Sequence, residues 1–172
     1  MVKKVTKRTP KAQKLRCVEG EEVEEIVRLD LEKLLPGCYI VQKRGQEGGV
    51  DIFLINGKIL ECEVKSALRY RWARTRVKGG YEYRSVINTF TIKPEDYQVA
   101  DFFAFVIKEV DDNLDWDRTQ PIKIHYIDTD VLIEHIKHKK AYKLKKQVYL
   151  NVKMAELMEP LDPRTKAFCD GV

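Results

Sequence analysis

The stretch GGVDIFLINGKILECEVKSA, residues 48–67, carries two β-prone runs on either side of Asn56-Gly57. The runs VDIFLI (50–55) and KILECEVKS (58–66) are rich in apolar and β-branched residues, and Asn-Gly is the strongest short-range signal of a hairpin turn. This pattern predicts two neighbouring antiparallel strands.

Side chains alternate across a strand, so Glu63 and Lys65 are expected on one face and Val64 on the other. With Asp51 on the preceding strand, two carboxylates and an ammonium would lie close together. Carboxylate and carbonyl oxygens suit Mg²⁺, and a bound Mg²⁺ polarises a phosphodiester and lowers the pKa of its water. The lysine could orient or deprotonate that water, or stabilise charge on the phosphate.

The register of the hairpin provides a sharp test of this site. A two-residue turn at Asn56-Gly57 would pair Asp51 with Cys62 and place the Asp51 side chain on the face away from Glu63. The site requires Asp51 opposite Glu63. This pairing needs a connection with an odd number of residues, such as Asn56-Gly57-Lys58 with a bulge. We predict the odd connection.

Upstream of the hairpin, residues 18–35 show apolar residues at helical spacing, and Pro36-Gly37 ends the pattern. A strand over 38–43 and a loop over 44–50 follow. Downstream, residues 101–107 form an almost wholly apolar run, typical of a buried strand. Alternating helices and strands predict an α/β fold with a mixed central sheet flanked by helices.

The chain of 172 residues is long enough for one domain, and we expect a basic N-terminal arm (1–17), a single domain (18–158) and a loose C-terminal tail (159–172). Hydrophobic residues make up 44 %, which excludes a wholly disordered chain. Charged residues make up 34 %, and an excess of Lys and Glu is typical of heat-adapted proteins.

No apolar run is long enough to cross a bilayer, and the basic N-terminus lacks the apolar region of a secretory signal. The four cysteines are far apart in sequence, which argues against a CxxC metal or redox motif and favours free thiols in a reducing cytoplasm. The sequence therefore predicts a cytoplasmic protein without a membrane partner.

A basic and aromatic segment directly follows the hairpin, with Gly79-Gly80 as a second turn signal. Guanidinium groups suit phosphates, and exposed aromatic rings can stack on a splayed base. The formal net charge of +5 also favours an anionic partner. The candidate nucleic-acid-binding residues are Arg69, Arg71, Trp72, Arg74, Arg76 and Lys78.

The run Asp51…Glu63-Val64-Lys65 resembles the core of the PD-(D/E)XK nuclease superfamily, which has the restriction-endonuclease-like fold. The acidic helix and the glycine-rich loop before Asp51 resemble in particular the archaeal Holliday-junction resolvases. Their helix motif ends in a glycine and a glutamate, matched here by Gly20 and Glu24.

The resemblance implies a Mg²⁺- or Mn²⁺-dependent DNA endonuclease, with junction or branched DNA as one possible substrate class, and a homodimer. Asp51, Glu63 and the Val64 carbonyl would hold the metal, Lys65 would position or activate the attacking water, and Glu24 would assist. Helix periodicity alone leaves Glu22 open as a rival to Glu24.

Two further readings stay open from the residues themselves. One is a non-catalytic nucleic-acid-binding protein that retains the nuclease fold. The other is an interaction protein with charge-rich surfaces, since alternating Glu and Lys on a strand often forms a solvated ladder of weak ion pairs.

Overall fold

A computed structural model describes residues 10–43 and 49–168 of the chain. The first half of the predicted arm, most of the predicted loop at 44–50 and the last four residues lie outside the described part. The helices of the described residues are α1 (Pro10–Leu34), α2 (Pro94–Val99), α3 (Thr129–Ile136), α4 (Lys140–Lys143), α5 (Val152–Leu157) and α6 (Pro163–Phe168). The strands in this part of the chain are β1 (Tyr39–Gln42), β2 (Ile52–Ile55), β3 (Ile59–Leu68), β4 (Tyr70–Val77), β5 (Gly80–Ile87), β6 (Thr89–Ile92), β7 (Phe102–Lys108), β8 (Lys123–Asp128) and β9 (Val148–Asn151).

The described strands form one five-stranded mixed sheet and two small two-stranded sheets. The central sheet has the order β1-β2-β3-β7-β8, in which only β3 and β7 run parallel. The small sheets are β4-β5 and β6-β9. The expected α/β class with a mixed central sheet flanked by helices is confirmed at this level.

Strand β7 organises the core because all seven of its residues are buried. Because successive side chains of a strand point to opposite faces, Phe102, Ala104 and Val106 lie on the face covered by α1. Phe103 and Phe105 lie on the opposite face. That second face is covered by α2, α3, α5 and the β6-β9 pair. The prediction of a buried strand over 101–107 is therefore confirmed.

Two boundaries differ from the sequence-based expectation. Helix α1 begins at Pro10, eight residues before the predicted start, so the second half of the predicted basic arm is helical. Proline is favoured at the first helical position, and the Ala, Gln, Lys and Leu residues that follow are good helix formers. At the other end, α6 interrupts the predicted loose tail, and its Ala167 is buried against the α1 side of the core.

Within the described residues, no helix combines the length and the apolar character that crossing a membrane requires.

Candidate metal-dependent active site

The β2-β3 connection has the odd length that the site requires. Ile55 pairs with Ile59, which leaves Asn56-Gly57-Lys58 as a three-residue connection. Gly57 has a φ of +70°, a left-handed conformation that glycine adopts without steric cost. The prediction of an odd connection is confirmed, and the alternative two-residue turn is excluded.

This register brings Asp51 to the position facing Glu63. Ile52 pairs with Cys62, and the Asp51 backbone N–H donates to the Cys62 carbonyl at 3.2 Å. The Asp51 Oδ2 atom accepts a hydrogen bond from the Val64 N–H at 2.8 Å. The carboxylate therefore lies against β3 at the point where the ladder of β2 ends.

The Val64 carbonyl points to the same open edge of β3. In an extended strand the N–H and C=O of one residue face the same neighbour, and the Val64 N–H faces Asp51. The Glu61 backbone faces the other side, where its carbonyl accepts from Asp101 N–H at 2.8 Å. Asp51 and the Val64 carbonyl thus share one edge, as the expected ligand set requires.

Lys65 lies between two buried carboxylates. Its Nζ atom is 2.6 Å from Glu63 Oε1 and 2.8 Å from Asp96 Oδ2. Burial alone would lower the pKa of Lys65, but the Glu63 and Asp96 carboxylates outweigh it and raise that pKa. Lys65 is therefore protonated at neutral pH in this state, which favours positioning and charge stabilisation over deprotonation of a water.

Asp96 is a site residue that the sequence reasoning missed. It lies in α2, which packs over the sheet, and its side chain is only 9 % exposed. Its Oδ2 atom also accepts from the Lys93 backbone N–H at 2.7 Å, at the start of the helix. The pattern Lys93-Pro94-x-Asp96 predicts a helix start, but no local signal shows that this acid contacts a lysine 31 positions earlier.

Glu24 approaches the site from α1. Gln42 Nε2 donates to its Oε2 atom at 3.1 Å. Burial, and next the nearby charge of Asp51, raise the pKa of Glu24 to about 7. Glu22 lies elsewhere, on the surface, where Arg118 Nη2 donates to its Oε2 atom at 3.0 Å and the Arg118 contact lowers its pKa. Of the two rivals, Glu24 is the one beside Asp51.

The pocket formed by Glu24, Asp51, Glu63 and Lys65 holds buried carboxyl groups that the nearby cations, Lys65 and Lys43, stabilise only in part. Burial raises the pKa of Asp51, and it raises the pKa of Glu63 to about 7 although Lys65 acts in the opposite direction. Such shifts indicate carboxylates that water solvates poorly and that a cation would stabilise.

The donor set fits a Mg²⁺ ion. Across residues 10–43 and 49–168, no three His, Cys, Asp or Glu side chains form a ready-made metal cluster. The set expected here contains only two such side chains, Asp51 and Glu63, with the Val64 carbonyl. Magnesium commonly binds one or two carboxylates and retains several waters, so this smaller set suits it.

The candidate nucleic-acid-binding residues divide among three locations. Arg74, Arg76 and Trp72 share one exposed face of the β4-β5 ribbon, defined as residues 70–87, and Lys78 is exposed at its turn. Arg71 lies on the opposite face. Trp72 Nε1 donates to the Asn113 carbonyl at 3.3 Å, which holds the indole edge near the base of the ribbon.

Arg69 lies outside the ribbon and is engaged in ion pairs. Its guanidinium contacts Glu109 and Glu156, each at 2.8 Å, and the arginine side chain is 17 % exposed. The contacts join the end of β3 to the end of β7 and to α5. This placement assigns Arg69 a structural role, because its donors already have carboxylate partners.

Comparison of the chain with protein-family models, with curated proteins and with solved structures finds no match.

Proposed function

We propose that this protein is a divalent-metal-dependent DNA endonuclease of the PD-(D/E)XK type, with a restriction-endonuclease-like fold. The observation that carries the proposal is the β2-β3 register, which brings Asp51 to face Glu63. Lys65 lies 2.6 Å from Glu63, in the order and spacing of the motif. A chance Asp…Glu-x-Lys in a charge-rich chain would meet this register only by coincidence.

Asp51, Glu63 and the Val64 carbonyl would hold the metal. Bound there, Mg²⁺ or Mn²⁺ would supply Lewis-acid activation of the phosphodiester and of a hydrolytic water. The Lys65 ammonium, held between Glu63 and Asp96, is suited to orient that water and to stabilise charge on the phosphate. Glu24, beside Asp51, provides a further acceptor for a hydrogen bond from a water.

The test is metal-dependent cleavage of supercoiled plasmid and of a four-way DNA junction. We expect nicking with Mg²⁺ or Mn²⁺ and none with EDTA. Asp51→Asn and Glu63→Gln should each reduce the rate by about a hundredfold or more, the scale on which single electrostatic groups act in catalysis. Glu22→Gln is the matched control and should cleave like the parent, since Glu22 is paired with Arg118 away from the pocket.

One observation favours the non-catalytic alternative. The Lys65 ammonium already has two carboxylate partners, so the charge cluster is partly balanced without a metal. If the protein binds DNA but shows no metal-dependent nicking on plasmid, junction or flap, the nuclease proposal is wrong, and a nucleic-acid-binding protein is the better description. If Asp51→Asn cleaves at the parental rate, the cleavage does not depend on this pocket, and the assignment of the active site is wrong.

A further inference from the structure

The β4-β5 ribbon exposes one face along its length, and the Trp72 indole on that face also contacts the Asn113 carbonyl. Its two strands pair only with each other. Alternation divides the ribbon into two faces, and every side chain on one of them is exposed. That face contains Tyr70, Trp72, Arg74 and Arg76 on β4 and Tyr81, Tyr83, Ser85 and Ile87 on β5.

The large aromatic side chains on this face do not belong to either cluster of the hydrophobic core. Tyr81 is 59 % exposed and Tyr83 is 72 % exposed. Contiguous exposed aromatic surface on a soluble protein marks a binding site more often than scattered single residues do. The exposed rings therefore indicate a binding site for a partner whose own flat, apolar surfaces can stack on tyrosine side chains.

The outer half of this face alternates rings with guanidinium groups. Arg74 lies opposite Tyr83, Arg76 lies opposite Tyr81, and the Arg74 guanidinium carbon is 3.9 Å from the centre of the Tyr81 ring. The Arg74 guanidinium covers one side of the Tyr81 ring, so the Tyr83 ring and the other side of the Tyr81 ring are the surfaces on which bases would stack.

Charge identifies the partner as a polyanion. The ribbon contains five cationic side chains and one carboxylate. That carboxylate, Glu82, lies on the opposite face and is paired there with Arg84. Guanidinium groups between exposed rings match a strand whose phosphates and base faces are both accessible, as in unpaired nucleotides. In a duplex the base faces are covered by stacking, so the rings would have no contact.

We propose that the exposed face of the β4-β5 ribbon that carries Tyr81 and Tyr83 binds unpaired nucleotides, so that the substrate contains a single-stranded segment. The proposal takes the nuclease function of the Asp51 pocket as given when it calls this strand the substrate. Strand β3 carries Lys65 and leads directly into β4, so Arg74 lies nine residues from Lys65. The bound segment would therefore lie within about 30 Å of the cleaved bond.

The test is fluorescence anisotropy of the full chain in EDTA, where cleavage cannot contribute. The probes are labelled dT15, rU15 and a 15-base-pair DNA duplex. Replacing both Tyr81 and Tyr83 by Ala should weaken single-strand binding by at least about 5-fold, because loss of base stacking on a single aromatic ring already costs about 5- to 150-fold. Duplex binding should change less than twofold. A loss on dT15 or on rU15 alone equally supports the proposal and identifies the sugar.

Two variants serve as controls. Replacing both tyrosines by Phe should retain single-strand binding, because the rings remain. Arg84→Ala, on the opposite face, should weaken single-strand and duplex binding by the same small factor. Tyr83→Ala alone provides a milder variant, and its melting temperature should equal that of the parent because the side chain is exposed.

Unchanged single-strand binding in the Ala variants, or an equal loss on duplex and single strand, would overturn the ribbon proposal. Neither result bears on the Asp51 pocket, which is tested by metal-dependent nicking. Conversely, a protein that binds dT15 through Tyr81 and Tyr83 but never cleaves would refute the nuclease function and leave the ribbon assignment standing.

Discussion

At the scale of single residues, the pocket is defined by buried carboxylates that the nearby lysines stabilise only in part. Glu63 is 5 % exposed, and Lys65 is its direct partner. Burial and the charge of Asp51 raise the pKa of Glu24, and Gln42 donates a hydrogen bond to the Glu24 carboxylate. Burial of these carboxylates lowers stability at neutral pH, and in the proposed function a bound cation would restore it.

Glu24 should make the stability of the protein depend on pH. The pKa of Glu24 is about 7 in the folded protein against an ordinary 4.5, so the folded state binds more protons between these values. Stability of the metal-free protein should therefore fall as pH rises from about 4.5 to about 7. Glu24→Gln should remove part of this fall and be more stable than the parent at pH 8, measured by urea unfolding.

Glu22 is the matched control for that measurement. Its pKa is lowered by Arg118, so its contribution has the opposite sign and is lost as pH falls. Glu22→Gln should leave the decline between pH 4.5 and 7 intact. A Glu24→Gln protein less stable than the parent at pH 8 would contradict the expected burial of this carboxylate.

At the scale of elements, the connection between β2 and β3 decides whether the pocket exists. Its three residues bring Asp51 to face Glu63, and a connection one residue shorter would turn Asp51 to the other face of the sheet. Gly57 permits this connection through its positive φ. The second important link is Arg69, which ties the end of β3 to Glu109 and Glu156.

Two glycines should respond in opposite ways to the same substitution. Gly57→Ala should destabilise the protein by about 1 kcal/mol, because an L-residue at a left-handed φ is strained. Gly20→Ala should stabilise it by up to about 1 kcal/mol, because a Cβ there meets nothing within 4 Å and alanine favours the helix. Urea unfolding measures both. Equal effects of one sign would show that the Gly57 turn is not as described.

Arg69 and Arg71 are neighbours on the chain with different expected roles. Arg69→Ala should destabilise the protein by about 1–3 kcal/mol, because it leaves two partly buried carboxylates without their partner. Arg71→Ala, at an exposed ribbon position, should change stability by less than about 0.5 kcal/mol. If thermal unfolding shows no cost for Arg69→Ala, its contacts with Glu109 and Glu156 are not structural.

At the scale of the whole molecule, the pocket and the ribbon belong to one continuous strand path. Strand β3 carries Glu63 and Lys65 across the central sheet and then continues into the ribbon after Arg69. The buried sheet holds the acidic pocket, while the basic ribbon extends from it with its own two strands. In the proposed functions, cation binding belongs to the pocket and nucleic-acid binding to the ribbon.

Metal binding should be visible in the stability of the whole fold. A ligand that binds only the native state at about 100 times its Kd adds about 2.7 kcal/mol. For a chain of this size, each kcal/mol raises Tm by about 2–4 °C. Saturating Mg²⁺ or Mn²⁺ should therefore raise the Tm of the parent and of Glu22→Gln by several degrees. Asp51→Asn should lose the increase; an equal increase in Asp51→Asn would place the metal elsewhere.

Most of the local structure can be predicted from short stretches of the chain. Period-two patterns, Asn-Gly and Gly-Gly turns and the apolar run at 101–107 identified the two hairpins and the buried strand, because these signals act over a few residues. The sequence also identified Asp51, Glu63 and Lys65 as one candidate group. The hairpin register was predicted from the requirements of that site, and the pairing of Ile55 with Ile59 confirmed it.

The contacts between distant parts of the chain become visible only in the folded protein. The fold brought Asp96 to Lys65, placed Glu24 rather than Glu22 beside Asp51, and paired Arg69 with Glu109 and Glu156. Each of these contacts joins elements far apart in sequence, and local propensity carries no information about which distant charge a side chain will meet. Packing of the helices onto the sheet sets those distances.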